Sequence, residues 1–174
     1  MLRALVVAAS VAASACSTLS DTQPLPELAS QSPGFEMAAR LSVRQGERGD
    51  LAKLRWTHHR ASDLWILASP LGSEVAHIEA DARGATLHRP GEPAVRAASF
   101  SALTETVLGA ALDPAELALW LHGAESAPTT STRWRVVIEE TQRAGALVLA
   151  RRITATSGDT VVKLVVDSYL PLED

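Results

Sequence analysis

Apolar and polar residues alternate strictly from position 35 to 44. Phe35, Met37, Ala39, Leu41 and Val43 fall on one side, and Glu36, Ala38, Arg40, Ser42 and Arg44 on the other. A period of two predicts a strand with one buried and one wet face. A polar run with Gly46 and Gly49 turns the chain. Residues 51–58 then repeat the pattern, with Ala52, Leu54 and Trp56 opposed to Lys53, Arg55 and Thr57. Residues 64–68 are apolar on both faces and predict a strand covered on both. Strands at 74–80 and 85–89 follow, joined through Asp81-Ala82-Arg83-Gly84, and 133–138, 146–156 and 161–167 supply the rest. Gly145 and Ser157-Gly158-Asp159 are the turn signals between the last three. The domain therefore reads as mostly antiparallel sheet.

The period changes between the two strand blocks. Phe100, Leu103, Val107 and Leu108 recur at helical spacing, and Gly109 ends that run. Asp113-Pro114-Ala115-Glu116 is a helix start: a capping carboxylate, proline at the first helical position, and an acid three residues after the cap. That helix continues through Leu117, Trp120 and Leu121 to Gly123. A sheet with a short helical pair on one face either closes a core or leaves an apolar pocket beneath a lid. Leu117, Trp120 and Leu121 are core in the first case and lid in the second.

One turn breaks the usual chemistry. Ser69-Pro70-Leu71-Gly72-Ser73 joins two apolar strands, and Pro70 and Gly72 suit a turn. Leu71 places an isobutyl group near its tip, where local turn chemistry gains nothing from it. Either Leu71 folds back onto the domain, or it projects as a hydrophobic finger able to dip into lipid.

The amino terminus adds a processing signal. Arg3 precedes an apolar run, Ala4 to Ala13, broken only by Ser10, and Ser14-Ala15 leads to Cys16, the one cysteine of the chain. This is the layout of a secretory signal spanning 1–15, too short to cross a bilayer as a helix. Small residues before a cysteine resemble a bacterial lipobox, with Ala13 where leucine is usual. That likeness implies cleavage before Cys16 and its acylation. Ser17, rather than aspartate, follows the cysteine, which by resemblance to Gram-negative lipoproteins implies sorting to the outer membrane. Residues 16–34 hold Pro24, Pro26 and Pro33 among Ser, Thr and Gln and read as a lipidated terminus and tether. The domain proper is expected at 35–174, large enough for one core.

Charge narrows the classes further. The chain carries 16 basic and 20 acidic residues, a net −4 that becomes about −5 when Arg3 is removed. That balance and the scattering of arginines along the sequence argue against a nucleic-acid partner or an anionic bilayer surface. No nucleophile elbow, Cys/His ligand set or phosphate loop is present, so no enzyme, metal or cofactor is expected. His58-His59 is the one tempting pair, yet neighbouring strand residues point to opposite faces.

These segments carry a resemblance. Ala39-Arg40-Leu41-Ser42-Val43, Ala52-Lys53-Leu54-Arg55-Trp56, Ser69-Pro70-Leu71-Gly72-Ser73-Glu74, Leu117-Ala118-Leu119-Trp120-Leu121-His122-Gly123 and the closing run from Val161 to Tyr169 follow the lipobox in that order. The sequence resembles the LolB family of outer-membrane lipoprotein receptors over nearly all of the mature domain. Tyr169 stands where that family often has tryptophan. The resemblance implies an unclosed antiparallel β-barrel, a half-barrel, whose apolar concave face is covered by helices. It further implies a protein anchored through Cys16 to the outer membrane and facing the periplasm. Such a protein takes triacylated lipoproteins from a LolA-type periplasmic carrier and inserts them into the inner leaflet. The family's insertion leucine falls on Leu71, between Pro70 and Gly72.

Transfer between apolar cavities is what the physics asks for. Burying acyl chain is worth roughly 0.8 kcal/mol per methylene, so three long chains do not travel bare through water. Alternation nominates Leu41, Leu54, Trp56, Leu67, Val75, Ile78, Val136, Ile138 and Leu164 as the acyl-cavity wall, and Leu117, Trp120 and Leu121 as the lid. The expected partners are the carrier, cargo acyl chains and outer-membrane lipid, with the receptor acting as a monomer. The rival readings are another lipid- or glycolipid-binding envelope lipoprotein on a similar half-barrel, and a purely structural anchor with a filled core.

Overall fold

The computed structural model describes residues 34–123 and 133–172. The signal segment, Cys16 and the tether up to Pro33 lie outside the described residues. Nine strands form one antiparallel sheet: β1 (Gly34–Gln45), β2 (Arg48–His59), β3 (Ser62–Ala68), β4 (Glu74–Asp81), β5 (Gly84–His88), β6 (Val95–Ala97), β7 (Arg135–Ala144), β8 (Leu147–Ser157) and β9 (Thr160–Leu172). Their order across the sheet is β6-β5-β4-β3-β2-β1-β9-β8-β7. The first and last strands of the chain thus pair at its middle, while β6 and β7 are left at the two edges. The sheet is unclosed, as expected from the half-barrel resemblance.

Two short helices, α1 (Phe100–Leu108) and α2 (Pro114–Leu121), connect β6 to β7. The caps explain their bounds. The Ser99 hydroxyl accepts from the Ala102 N–H, and the Asp113 carboxylate accepts from the Ala115 and Glu116 N–H groups. Gly109 closes α1 at φ +67°, a left-handed conformation that favours glycine. His122 is the C-cap of α2, and Gly123 just beyond it takes φ +72°, the left-handed closing conformation expected of it.

The register explains why one face of the sheet is greasy. Directly paired residues share a face, so pairing links Met37, Trp56, Trp65, Ile78 and Leu87 into one row across five strands. A second row joins Leu41, Leu164, Ile153 and Ile138, and a third Val43, Val162, Ala155 and Val136. The helices lie over this face: Phe100 and Leu103 of α1, Leu117, Trp120 and Leu121 of α2, and Leu112 between them all join its core.

Three strand readings needed adjustment. β3 is fully buried only at Trp65, its other apolar positions being half-covered. β7 runs on to Ala144 and β9 to Leu172, both past the expected ends. The three-residue edge strand β6 has no alternation to betray it and forms because it can pair with β5.

Candidate functional site

The concave face and the loop between β3 and β4 are the two features that sequence singled out. Eight of the nine nominated wall residues lie on the helix-covered face. Leu41, Leu54, Trp56, Ile78 and Leu164 are buried, and Leu67, Val136 and Ile138 pack half-buried against them. Val75 is the correction. In β4 the buried positions are Ala76 and Ile78, so the period of two turns Val75 to the other side, where it is 44% exposed. Val75 and Ile78, three apart on a strand, do not share a wall.

Aromatic residues that alternation alone did not nominate knit sheet to lid. Trp65 meets Trp56 at 5.5 Å and Phe100 of α1 edge-on at 4.8 Å, and Trp120 of α2 meets Trp134 at 5.9 Å. Trp65 was hidden inside an unbroken apolar run, where period two gives no signal. The indole N–H groups of Trp65 and Trp120 are buried with no hydrogen-bond partner among the described residues. Each buried unsatisfied donor costs about 1–3 kcal/mol, which weakens the covered arrangement.

Polar contacts fasten the lid at two places. Buried Thr104 of α1 accepts from the Leu112 N–H at 2.9 Å and donates to the Phe100 carbonyl, tying the inter-helix segment to α1. At the end of α2, His122 donates from Nδ1 to the Ala118 carbonyl at 2.7 Å and accepts at Nε2 from the Tyr169 hydroxyl of β9 at 3.1 Å. Burial pushes the His122 pKa down, and nearby His58 pushes it the same way, which keeps the ring neutral. His58 itself contacts Asp63 at 2.7 Å, and Asp63 also accepts from the Trp56 indole. His59 is exposed on the opposite face, so the histidine pair is split.

The loop is braced by backbone hydrogen bonds and its tip is bare. The Gly72 N–H donates to the Ser69 carbonyl and the Ser69 N–H to the Ser73 carbonyl, both at 2.8 Å. Gly72 takes φ +97°, which only glycine adopts readily. Between Pro70 and Gly72, the Leu71 side chain is 97% exposed. It does not fold back onto the domain.

A cavity of about 740 Å³ lies elsewhere. It centres on Thr57, Leu64, Glu79, Thr86 and Arg96, a row on the side of the sheet opposite Trp56 and Ile78. Its lining is mixed, Leu64 and alanines beside Asp63, Glu79, Asp81, Arg83 and Arg96, and those charges do not suit hydrocarbon. The helix-covered apolar face, by contrast, is filled by side chains from the two helices.

An unclosed sheet covered by a helical lid, with a bare leucine held out on a braced loop, defines a class of open-sheet proteins built around a covered apolar face. Residues 33–169 match the family described as outer membrane lipoprotein LolB, and this chain belongs to that family. It is 32% identical to the outer-membrane lipoprotein LolB of Thiobacillus denitrificans, covering 97% of this chain and 98% of that one. The LolB of Azoarcus sp. is 28% identical, covering 97% and 94%. Among solved structures, a DUF1329 family protein from Desulfovibrio piger aligns with a TM-score of 0.54 at 9% identity. That alignment covers 83% of this chain and 89% of that one, a likeness of fold.

Proposed function

We propose that this chain is an outer-membrane lipoprotein receptor: it accepts triacylated lipoproteins from a LolA-type periplasmic carrier and releases them into the inner leaflet of the outer membrane. The relatives it matches along nearly their whole length are named outer-membrane lipoprotein LolB. The observation that carries the reading furthest is Leu71, 97% exposed on a loop braced by two hydrogen bonds. A soluble domain gains nothing from such a residue, whereas a bilayer does: burying a leucine side chain is worth about 1.5–3 kcal/mol.

Acyl chains would enter between the lid and the rows containing Leu41, Leu54, Trp56 and Leu164. They would displace Leu117, Trp120 and Leu121 from the face those residues cover. The lining offers area without directional polar demands, so disordered chains of differing length fit equally. Cys16, acylated, would hold the domain at the membrane through the 16–34 tether, and no covalent step is involved.

Leu71→Glu tests the finger. Cargo-loaded carrier, receptor and liposomes are mixed, and cargo is followed by flotation. The variant is expected to strip cargo from the carrier and fail to deliver it. Delivery at the parent rate would remove the finger from the mechanism.

A further inference from the structure

Cations scattered along the sequence meet on one face of the folded sheet. On the side opposite the core, Arg40 of β1 stands directly across from Lys53 of β2, and Arg55 follows Lys53 two residues along the same strand. Ser42 pairs with both Leu51 and Lys163, which brings the β9 lysine into the next row, and Arg44 lies beyond it. Five cations thus occupy adjoining positions on strands about 4.8 Å apart, in a chain whose net charge is −4. All five are exposed.

Carboxylates answer them only in part: Asp167 bridges Arg40 at 3.0 Å, Glu36 stands at the far end of the face, Glu74 shares the Lys53 row across Ala68, and Glu139 is held by Thr154, the β8 neighbour of Lys163. Among the described residues Arg44, Lys53, Arg55 and Lys163 make no ion pair. Like charges set directly opposite one another destabilise a sheet, and Asp167 offsets only the Arg40 side of the Arg40–Lys53 pair.

The same face runs into the loop that carries Leu71. Lys53 pairs with Ala68, the last residue of β3, after which the loop begins. Leu51, one row nearer that end, is 58% exposed, and Val75, just after the loop, is 44% exposed. Three bare apolar side chains therefore rim one end of a cationic face. An apolar edge flanked by lysine and arginine is the chemistry of a surface that seats on anionic lipid: aliphatic groups enter the interface and cations meet phosphates.

Building on the Leu71 reading, we propose that this β1–β2–β9 face is the membrane-docking surface. Arg40, Arg44, Lys53, Arg55 and Lys163 engage anionic headgroups, and Leu51 and Val75 enter the interface beside Leu71. The sequence pattern argued against an anionic bilayer because the arginines are far apart in the chain. The register gathers them.

The test uses the lipidated full-length chain anchored on phosphatidylcholine vesicles with or without phosphatidylglycerol. Cys16 is the one native cysteine, and acylation blocks it, so an environment-sensitive dye can be placed by Leu51→Cys, Leu71→Cys or, on the lid side, Leu119→Cys. Dye at 51 is expected to be quenched by nitroxide lipids, more strongly with phosphatidylglycerol, while dye at 119 is not. Combining Lys53→Gln, Arg55→Gln and Lys163→Gln should abolish the phosphatidylglycerol increment with an unchanged melting temperature and continued quenching at 71.

Dye at 51 that stays aqueous, or an increment that survives the triple substitution, overturns the docking face. If 71 is quenched in that case, the finger itself still stands. An aqueous dye at 71 removes both. Slowed handover from the carrier with lipid contact unchanged would assign the cations to an acidic protein and overturn the lipid surface.

Discussion

Leu71 and His122 are the residues whose surroundings yield the sharpest expectations. Leu71 touches almost nothing, so Leu71→Glu should leave stability within about 0.5 kcal/mol of the parent in urea melts while abolishing delivery. A large loss of stability would mean the loop is structural. His122 is buried neutral and its pKa is depressed below the ordinary 6.5. Above that value both folded and unfolded states carry it neutral. As pH falls below it, the unfolded chain takes up the proton first, so stability is lost toward the depressed folded value. Glu116, whose pKa burial raises, gives a slope of opposite sign. The informative quantity is therefore the difference between parent and His122→Gln. Urea melts from pH 7 to pH 5 should show the parent losing stability more steeply than the variant. Parallel curves would contradict the assignment. At this scale Leu71 was legible because it violates turn chemistry. Val75 was misread because an apolar residue among apolar neighbours carries no label for its face.

Elements were legible wherever local chemistry sets them. The Asp113 cap, Pro114, and the alternation in β1 and β2 are signals within a few residues of one another, and the structure places elements there. Asp113→Ala removes the acceptor for two N–H groups and is expected to cost about 1 kcal/mol in thermal or urea melts. An unchanged midpoint would mean that packing of Trp120 and Leu121 alone sets α2. Glu116 departs from the reciprocal cap that its position suggested, since its Oε1 is buried without a hydrogen-bond partner among the described residues. β6 is too short to show a period of its own, and the far end of β9 was not legible because it forms against β1, which is remote in sequence.

For the whole molecule, the half-barrel and its helical cover came from resemblance rather than from periodicity, which gives strands but not their order. Neither β1 against β9 nor the rows that assemble the apolar and cationic faces can be read before the register is known. The covered concave face also bears on how cargo enters. With Leu117, Trp120 and Leu121 buried against it, and two indole N–H groups without a hydrogen-bond partner among the described residues, the lid would have to shift for acyl chains to enter, and the closed form is weakened where they would lie. The measurement that tests this account most directly is handover itself: triacylated cargo on a LolA-type carrier is incubated with this receptor, and each protein is isolated to see which holds the cargo. Cargo is predicted to pass to the receptor without an energy source and to change the fluorescence of Trp120, which is buried before cargo arrives. Cargo that stays on the carrier would contradict the receptor reading.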